Sequence, residues 1–157
     1  AVAMTQAVAD TFKDKPYEGG LTWNGHPISL AAAVANIQVM QQDKLIDHAA
    51  LMGEVMADML AELKDRHPSV GEVRSIGLFG IIECVRDRKT REPVAPFNGA
   101  APEMAALKQR LMERGVFLYT HWHTILLIPP LIITPEQLAE GFAALDDALR
   151  ITDAAAR

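Results

Sequence analysis

Apolar side chains recur at intervals of three and four through Leu45, Ala49, Met52, Met56, Met59 and Leu63, the spacing that lays one stripe along an α-helix. The pattern predicts a helix from Asp43 to about His67, closed by Pro68, because the residue before a proline is pushed out of the helical region. Leu138, Phe142, Leu145 and Leu149 repeat the spacing near the C-terminus. Ahead of them, Thr134-Pro-Glu-Gln137 has the capping-box spacing, in which the threonine hydroxyl and the glutamine each satisfy an orphan backbone donor at a helix start. A third helix is predicted from Pro102 to Arg114, with Met104, Leu107 and Leu111 on one face and Gly115 as its stop.

Between these helices the period changes. Residues 73–85 are rich in Ile, Val and Phe around Gly77 and Gly80, which predicts a strand with a bulge or close backbone approach at one glycine. Residues 116–122 and 124–128 suit two further short strands turning near residues 121–123. Upstream, residues 1–12 read as a strand end and a helical turn, and residues 13–20 as a loop of breakers. Pro27 then opens an alanine-rich helix. The pattern as a whole predicts an α+β fold: a small sheet of three or four mostly antiparallel strands covered by helices, preceded by a long helix.

Composition narrows the classes. Half of the 157 residues are hydrophobic and 22% are charged, enough apolar material for one core. The net charge of -5, with basic residues scattered, leaves no electrostatic footprint for nucleic acid or an anionic membrane. Thr124 to Ile133 is too short for a span and is broken by Pro129-Pro130. The one cysteine, Cys84, allows no internal disulfide, and a cytoplasmic location is expected. The N-terminal Ala-Val-Ala-Met-Thr lacks the marks of a natural start and is expected to lie within a longer chain.

Candidate chemistry is sparse. Leu21-Thr22-Trp23-Asn24-Gly25-His26-Pro27 sets a hydroxyl and a permissive glycine just ahead of a helix N-terminus, an arrangement that favours a phosphate. On these residues alone, a loop-ordering role for Thr22 is the stronger reading, since threonines before helices are usually caps. His121 and His123 have the alternate spacing of a strand face, but no third ligand stands nearby and no metal site is expected. Arg74 could clamp a substrate carboxylate, but it borders a strand, where pairing with a nearby carboxylate or backbone carbonyl is its expected use.

Three motifs in order resemble one family. Gly20-Leu-Thr-Trp-Asn-Gly-His-Pro27 is similar to the G-x-T-[YW]-x-G-H-P segment of class III aminotransferases, which are pyridoxal-phosphate (PLP) enzymes of fold type I. Val70-Gly-Glu-Val-Arg-Ser-Ile-Gly-Leu78 resembles the family's V-G-D-V-R-G-x-G-L strand, and Pro129-Pro-Leu-Ile-Ile-Thr134 its P-P-L-x-I-T entry to the last helix. The resemblance implies that residues 1–42 end the large PLP-binding domain and residues 43–157 form the C-terminal small domain. It places the catalytic lysine upstream of Ala1, so that no catalytic residue lies in this chain, and Lys13 and Lys15 match no position of the lysine motif. It further implies a homodimer in which Thr22 contacts the phosphate of PLP in the partner subunit, with Trp23 shaping the same contact.

His121-Trp122-His123 stands where relatives acting on ω-amino acids often carry an arginine, which makes His121 and Trp122 candidate substrate-binding residues. The Ala95-Pro-Phe-Asn-Gly99 loop and the final helix are most similar to the taurine or β-alanine:pyruvate group, implying an amine or ω-amino acid as donor and pyruvate as acceptor. The isolated chain is expected to be inactive. The alternatives are a relative catalysing another reaction, such as an aminomutase, a racemase or a decarboxylating enzyme, and a stand-alone binding or assembly domain.

Overall fold

The computed structural model describes residues 2–157. The chain divides into two compact units, Ala1–Val39 and Met40–Arg157.

The first unit holds a one-turn helix α1 (Gln6–Asp10) and the helix α2 (Pro27–Gln42), whose last residues fall in the second unit. Residues 2–5 are irregular rather than the expected strand end, and Ala1 lies outside the described residues. Pro27 is the first residue of α2, where its missing N–H costs no intrahelical bond. No residue of α2 is buried. Ile28, Leu30, Val34 and Ile37 all stand exposed.

The second unit runs α3 (Leu45–Arg66), β1 (Val70–Ile76), β2 (Phe79–Asp87), the two-residue β3 (Glu92–Pro93), α4 (Pro102–Glu113), β4 (Tyr119–His121), β5 (Thr124–Leu127) and α5 (Pro135–Asp153). The α3 helix starts two residues later than its stripe predicts, because Lys44 adopts a left-handed conformation (φ 51°). The sheet order is β1-β2-β5-β4, every pairing antiparallel, with β3 added beside β2. The three or four expected strands are this four-strand path, and β3 is a fifth.

Residues 73–85 are not one strand. They belong to a hairpin, with Ile76 paired to Phe79 and Gly77-Leu78 as its turn. The continuous apolar run hides the turn because Leu78 is itself buried. Gly77 (φ +51°) supplies the backbone conformation, and Gly53 of α3 lies so close that a Cβ on it would sit 2.5 Å from the Cα of Gly77. The close approach expected at a glycine is therefore at Gly77, while the register shift falls at Gly71, between Val70 and Glu72.

Alternation along β2 sets the core. Gly80, Ile82 and Cys84 are buried, whereas Ile81 and Glu83 on the opposite face are half-buried. Ile82, Cys84, Ile125 and Leu127 of the sheet join Met56, Leu60 and Leu63 of α3, Leu107 and Leu111 of α4, and Leu145 and Leu149 of α5 in one cluster. The α5 capping box forms as predicted: the Gln137 N–H donates to Thr134 Oγ1 (3.3 Å), and the Gln137 amide group accepts from the Thr134 N–H (3.0 Å).

A polar network fastens α5 to the start of β1. Buried His67 is hydrogen-bonded through Nδ1 to Asp153 (2.6 Å) and through Nε2 to Asp146 (3.1 Å). Ser69 adds its hydroxyl (2.6 Å) and its N–H (3.1 Å) to the other oxygen of Asp153. Nearby, the Arg88 guanidinium caps the chain leaving α3, donating to the carbonyls of Lys64, His67 and Val70. No helix among the described residues is long and apolar enough to cross a membrane.

Candidate functional site

In the first unit, Thr22 and Trp23 lie in a turn that ends at α2. The Asn24 N–H donates to the Leu21 carbonyl (2.9 Å) and the His26 N–H to that of Trp23 (3.3 Å), while the His26 carbonyl accepts from Leu30 (3.0 Å) and opens the helix. Trp23 rests edge-on against the His26 ring at 5.4 Å. Gly25 turns the chain with φ +71°, a conformation that favours glycine. Thr22 is exposed, and its hydroxyl makes no hydrogen bond among the described residues.

In the second unit, His121 and Trp122 meet directly. Their rings stack with centroids 3.9 Å apart. Trp122 also packs on Phe97, at 4.3 Å, and His121 faces Tyr119, at 6.0 Å. The sequence pattern did not point to Phe97 or Tyr119 as partners of these residues; the available signal was the Pro96-Phe97-Asn98-Gly99 turn composition. The turn holding Trp122 is fixed on both sides, since Cys84 donates its N–H to the His123 carbonyl (2.7 Å) and the Thr124 hydroxyl donates to that of His121 (2.7 Å).

His121 and His123 do not share a strand face, because β4 ends at His121 and β5 starts at Thr124, so the chain turns between them. No group of three or more His, Cys, Asp or Glu among the described residues is placed to hold a metal ion. Arg74 pairs with Glu83 across β1 and β2, the use expected of it. Lys13 is tied to Asp10 at 2.8 Å. Burial pushes the Cys84 thiol up to about 12, which keeps it protonated and unreactive at neutral pH.

The α+β architecture, with its antiparallel sheet and helical cover, is that of the C-terminal domain of fold type I transaminases. The Aminotransferase class-III family profile matches residues 1–149, and the chain belongs to that family. It is 37% identical over 91% of its length to an uncharacterized aminotransferase of Schizosaccharomyces pombe, of which it covers 32%. It is 32% identical over 77% of its length to the putrescine–pyruvate aminotransferase of Pseudomonas aeruginosa, of which it covers 26%. Among solved structures it superposes on the taurine:2-oxoglutarate aminotransferase of Bifidobacterium kashiwanohense, in complex with PLP and glutamate, with a TM-score of 0.88 at 33% identity. That match covers 95% of this chain and 33% of the other. The chain thus spans about a third or less of the length of these relatives.

The family implies PLP, and the turn at residues 20–25 fits a phosphate. The Thr22 hydroxyl is exposed and unengaged, a Cβ on Gly20 or Gly25 would meet nothing within 4 Å, and the first turn of α2 carries no acidic residue to repel an anion.

Proposed function

We propose that these residues form the C-terminal third of a PLP-dependent aminotransferase that moves an amino group from an amine or ω-amino acid to a keto acid such as pyruvate. The observation that carries the reading is the superposition on a PLP-bound taurine:2-oxoglutarate aminotransferase over 95% of this chain. The putrescine–pyruvate relative supports an amine donor and pyruvate as acceptor.

In this reading residues 1–42 complete the large domain, and residues 43–157 form the small domain. PLP, when bound, withdraws electrons from the carbon that bears the amino group. The part of this chain is positional. Thr22 donates its hydroxyl to the cofactor phosphate across a homodimer interface, Trp23 braces that turn through His26, and His121 and Trp122 contact the substrate. The lysine that relays protons lies outside these residues, so the 157-residue chain alone is inactive.

The test is alanine formation by the full-length protein supplied with PLP, putrescine and pyruvate. A racemase or an aminomutase would release no alanine, and that outcome sinks the aminotransferase reading. Removing the Thr22 hydroxyl in Thr22→Ala deletes a hydrogen bond to a charged group, about 1.5–3 kcal/mol, and weakens PLP binding at least about tenfold. Unchanged affinity removes Thr22 from the phosphate site.

A further inference from the structure

Of the asparagines in the chain, Asn24 and Asn98 precede a glycine, whereas Asn36 precedes the branched Ile37 inside α2. An asparagine before glycine is chemically labile. The next backbone nitrogen attacks the side-chain carbonyl carbon, the new C–N bond closes a succinimide ring, and the side-chain nitrogen leaves as ammonia. Water then opens the ring to aspartate or to isoaspartate, in which the main chain runs through the former side chain. Glycine favours the attack because it has no Cβ to hinder the approach.

The two Asn-Gly pairs differ in what holds the attacking nitrogen. The Gly99 N–H donates to the Pro96 carbonyl at 2.9 Å, so attack at Asn98 must first break that bond. The Gly25 N–H makes no hydrogen bond among the described residues, and neither does the Asn24 side chain. A Cβ on Gly25 would meet nothing within 4 Å, so no neighbour crowds the pair. The reaction is internal to the turn and consumes one water, so it needs room for a single residue to move rather than an open surface.

Its product falls at a sensitive place. Residues 20–30 carry no acidic side chain, and the N-terminus of α2 that follows favours an anion. A carboxylate at residue 24 takes up that field and repels a phosphate held beside Thr22. Isoaspartate adds a methylene to the main chain within the turn that the His26 N–H closes on the Trp23 carbonyl (3.3 Å), which displaces Thr22 relative to α2.

We propose that Asn24 is a deamidation site in the cofactor-free protein, that the turn at Pro96 protects Asn98, and that conversion of Asn24 lowers affinity for the cofactor phosphate. The consequence for the cofactor rests on the aminotransferase reading above. The modification itself does not, since it follows from the two turns alone.

The test incubates the full-length protein, before it is loaded with PLP, at mildly alkaline pH and maps its peptides by mass spectrometry. Residue 24 gains about one dalton, as aspartate and isoaspartate, at least about fivefold faster than residue 98. Asn24→Gln abolishes that gain, because glutamine would have to close a larger ring. An unmodified residue 24, equal rates at the two sites, or a faster gain at residue 98 overturns the proposal. Equilibrium dialysis against PLP then reads the consequence: affinity falls about tenfold in Asn24→Asp. Unchanged affinity in that variant overturns the link to the phosphate. A wild-type protein that binds no PLP overturns the aminotransferase reading and that link together, and the mass gain at residue 24 is scored independently of it.

Discussion

The helices α2 and α3 follow one another in sequence, and each is rich in Ala, Leu, Ile and Met, yet they meet opposite ends. In α3 the apolar residues form one stripe, and Met52, Met56, Leu60 and Leu63 are buried. In α2 they are spread around the helix, and none is buried. A helix that is apolar on all sides belongs in the interior of a larger body. A striped helix needs only one neighbour, which the sheet and α5 provide within the same unit. The difference separates a domain that closes its own core from a segment whose surface is suited to a partner.

The largest effect should come from testing that contrast directly. In the 157-residue chain, Leu60→Ala removes a fully buried side chain and should cost about 3 kcal/mol of unfolding free energy. Leu30→Ala in α2 should stay within about 0.5 kcal/mol, as for other exposed positions. Urea denaturation gives both numbers. In the full-length protein the cost of Leu30→Ala should rise to about 2 kcal/mol; if it does not, α2 has no partner there and the contrast fails.

A smaller effect is expected at the polar fastening of α5. His67→Ala leaves Asp146 and Asp153 each short of a hydrogen-bond partner, and should lower stability by about 2 kcal/mol. The shift of the urea midpoint measures it. A variant as stable as the wild type would mean that apolar packing alone holds α5 in place.

The smallest effect concerns pH. Arg110 chiefly, and then Arg114, hold the Asp147 carboxyl below its ordinary value of 3.8, against the opposing effect of burial. A carboxyl whose folded value lies below its unfolded one adds stability above pH 3.8, and that stability is lost as pH falls through the folded value. Asp147→Asn should therefore show a shallower fall in Tm below about pH 4 than the wild type. Equal slopes would show that the exposed Arg110 and Arg114 pairs contribute nothing, as happens with many surface ion pairs.

Much of the architecture was legible because the signals are local. The Thr134 and Gln137 capping box depends on residues three apart, and Pro27 and Pro102 mark helix starts through their own geometry. The Gly77-Leu78 turn was not legible, since its second residue is apolar and buried and the run shows no break. Its cause is the approach of Gly53, 24 positions earlier, against Gly77. The candidate site divides in the same way. Thr22 stands out through the glycines and proline around it. The ring contacts around Trp122 do not, because Phe97 and Trp122 meet only when the loop after β3 and the β4–β5 turn are brought together.

Sequence by itself determined the helices, the α+β class and the family, because hydrophobic period, capping chemistry and ordered motifs act between residues close along the chain. Tertiary structure alone decided the hairpin turn, the His67 clasp spanning 79 to 86 positions, and the ring contacts that bring Phe97 and Tyr119 to Trp122 and His121. Each of those depends on which side chains the sheet carries into contact, and separation along the chain holds no record of that.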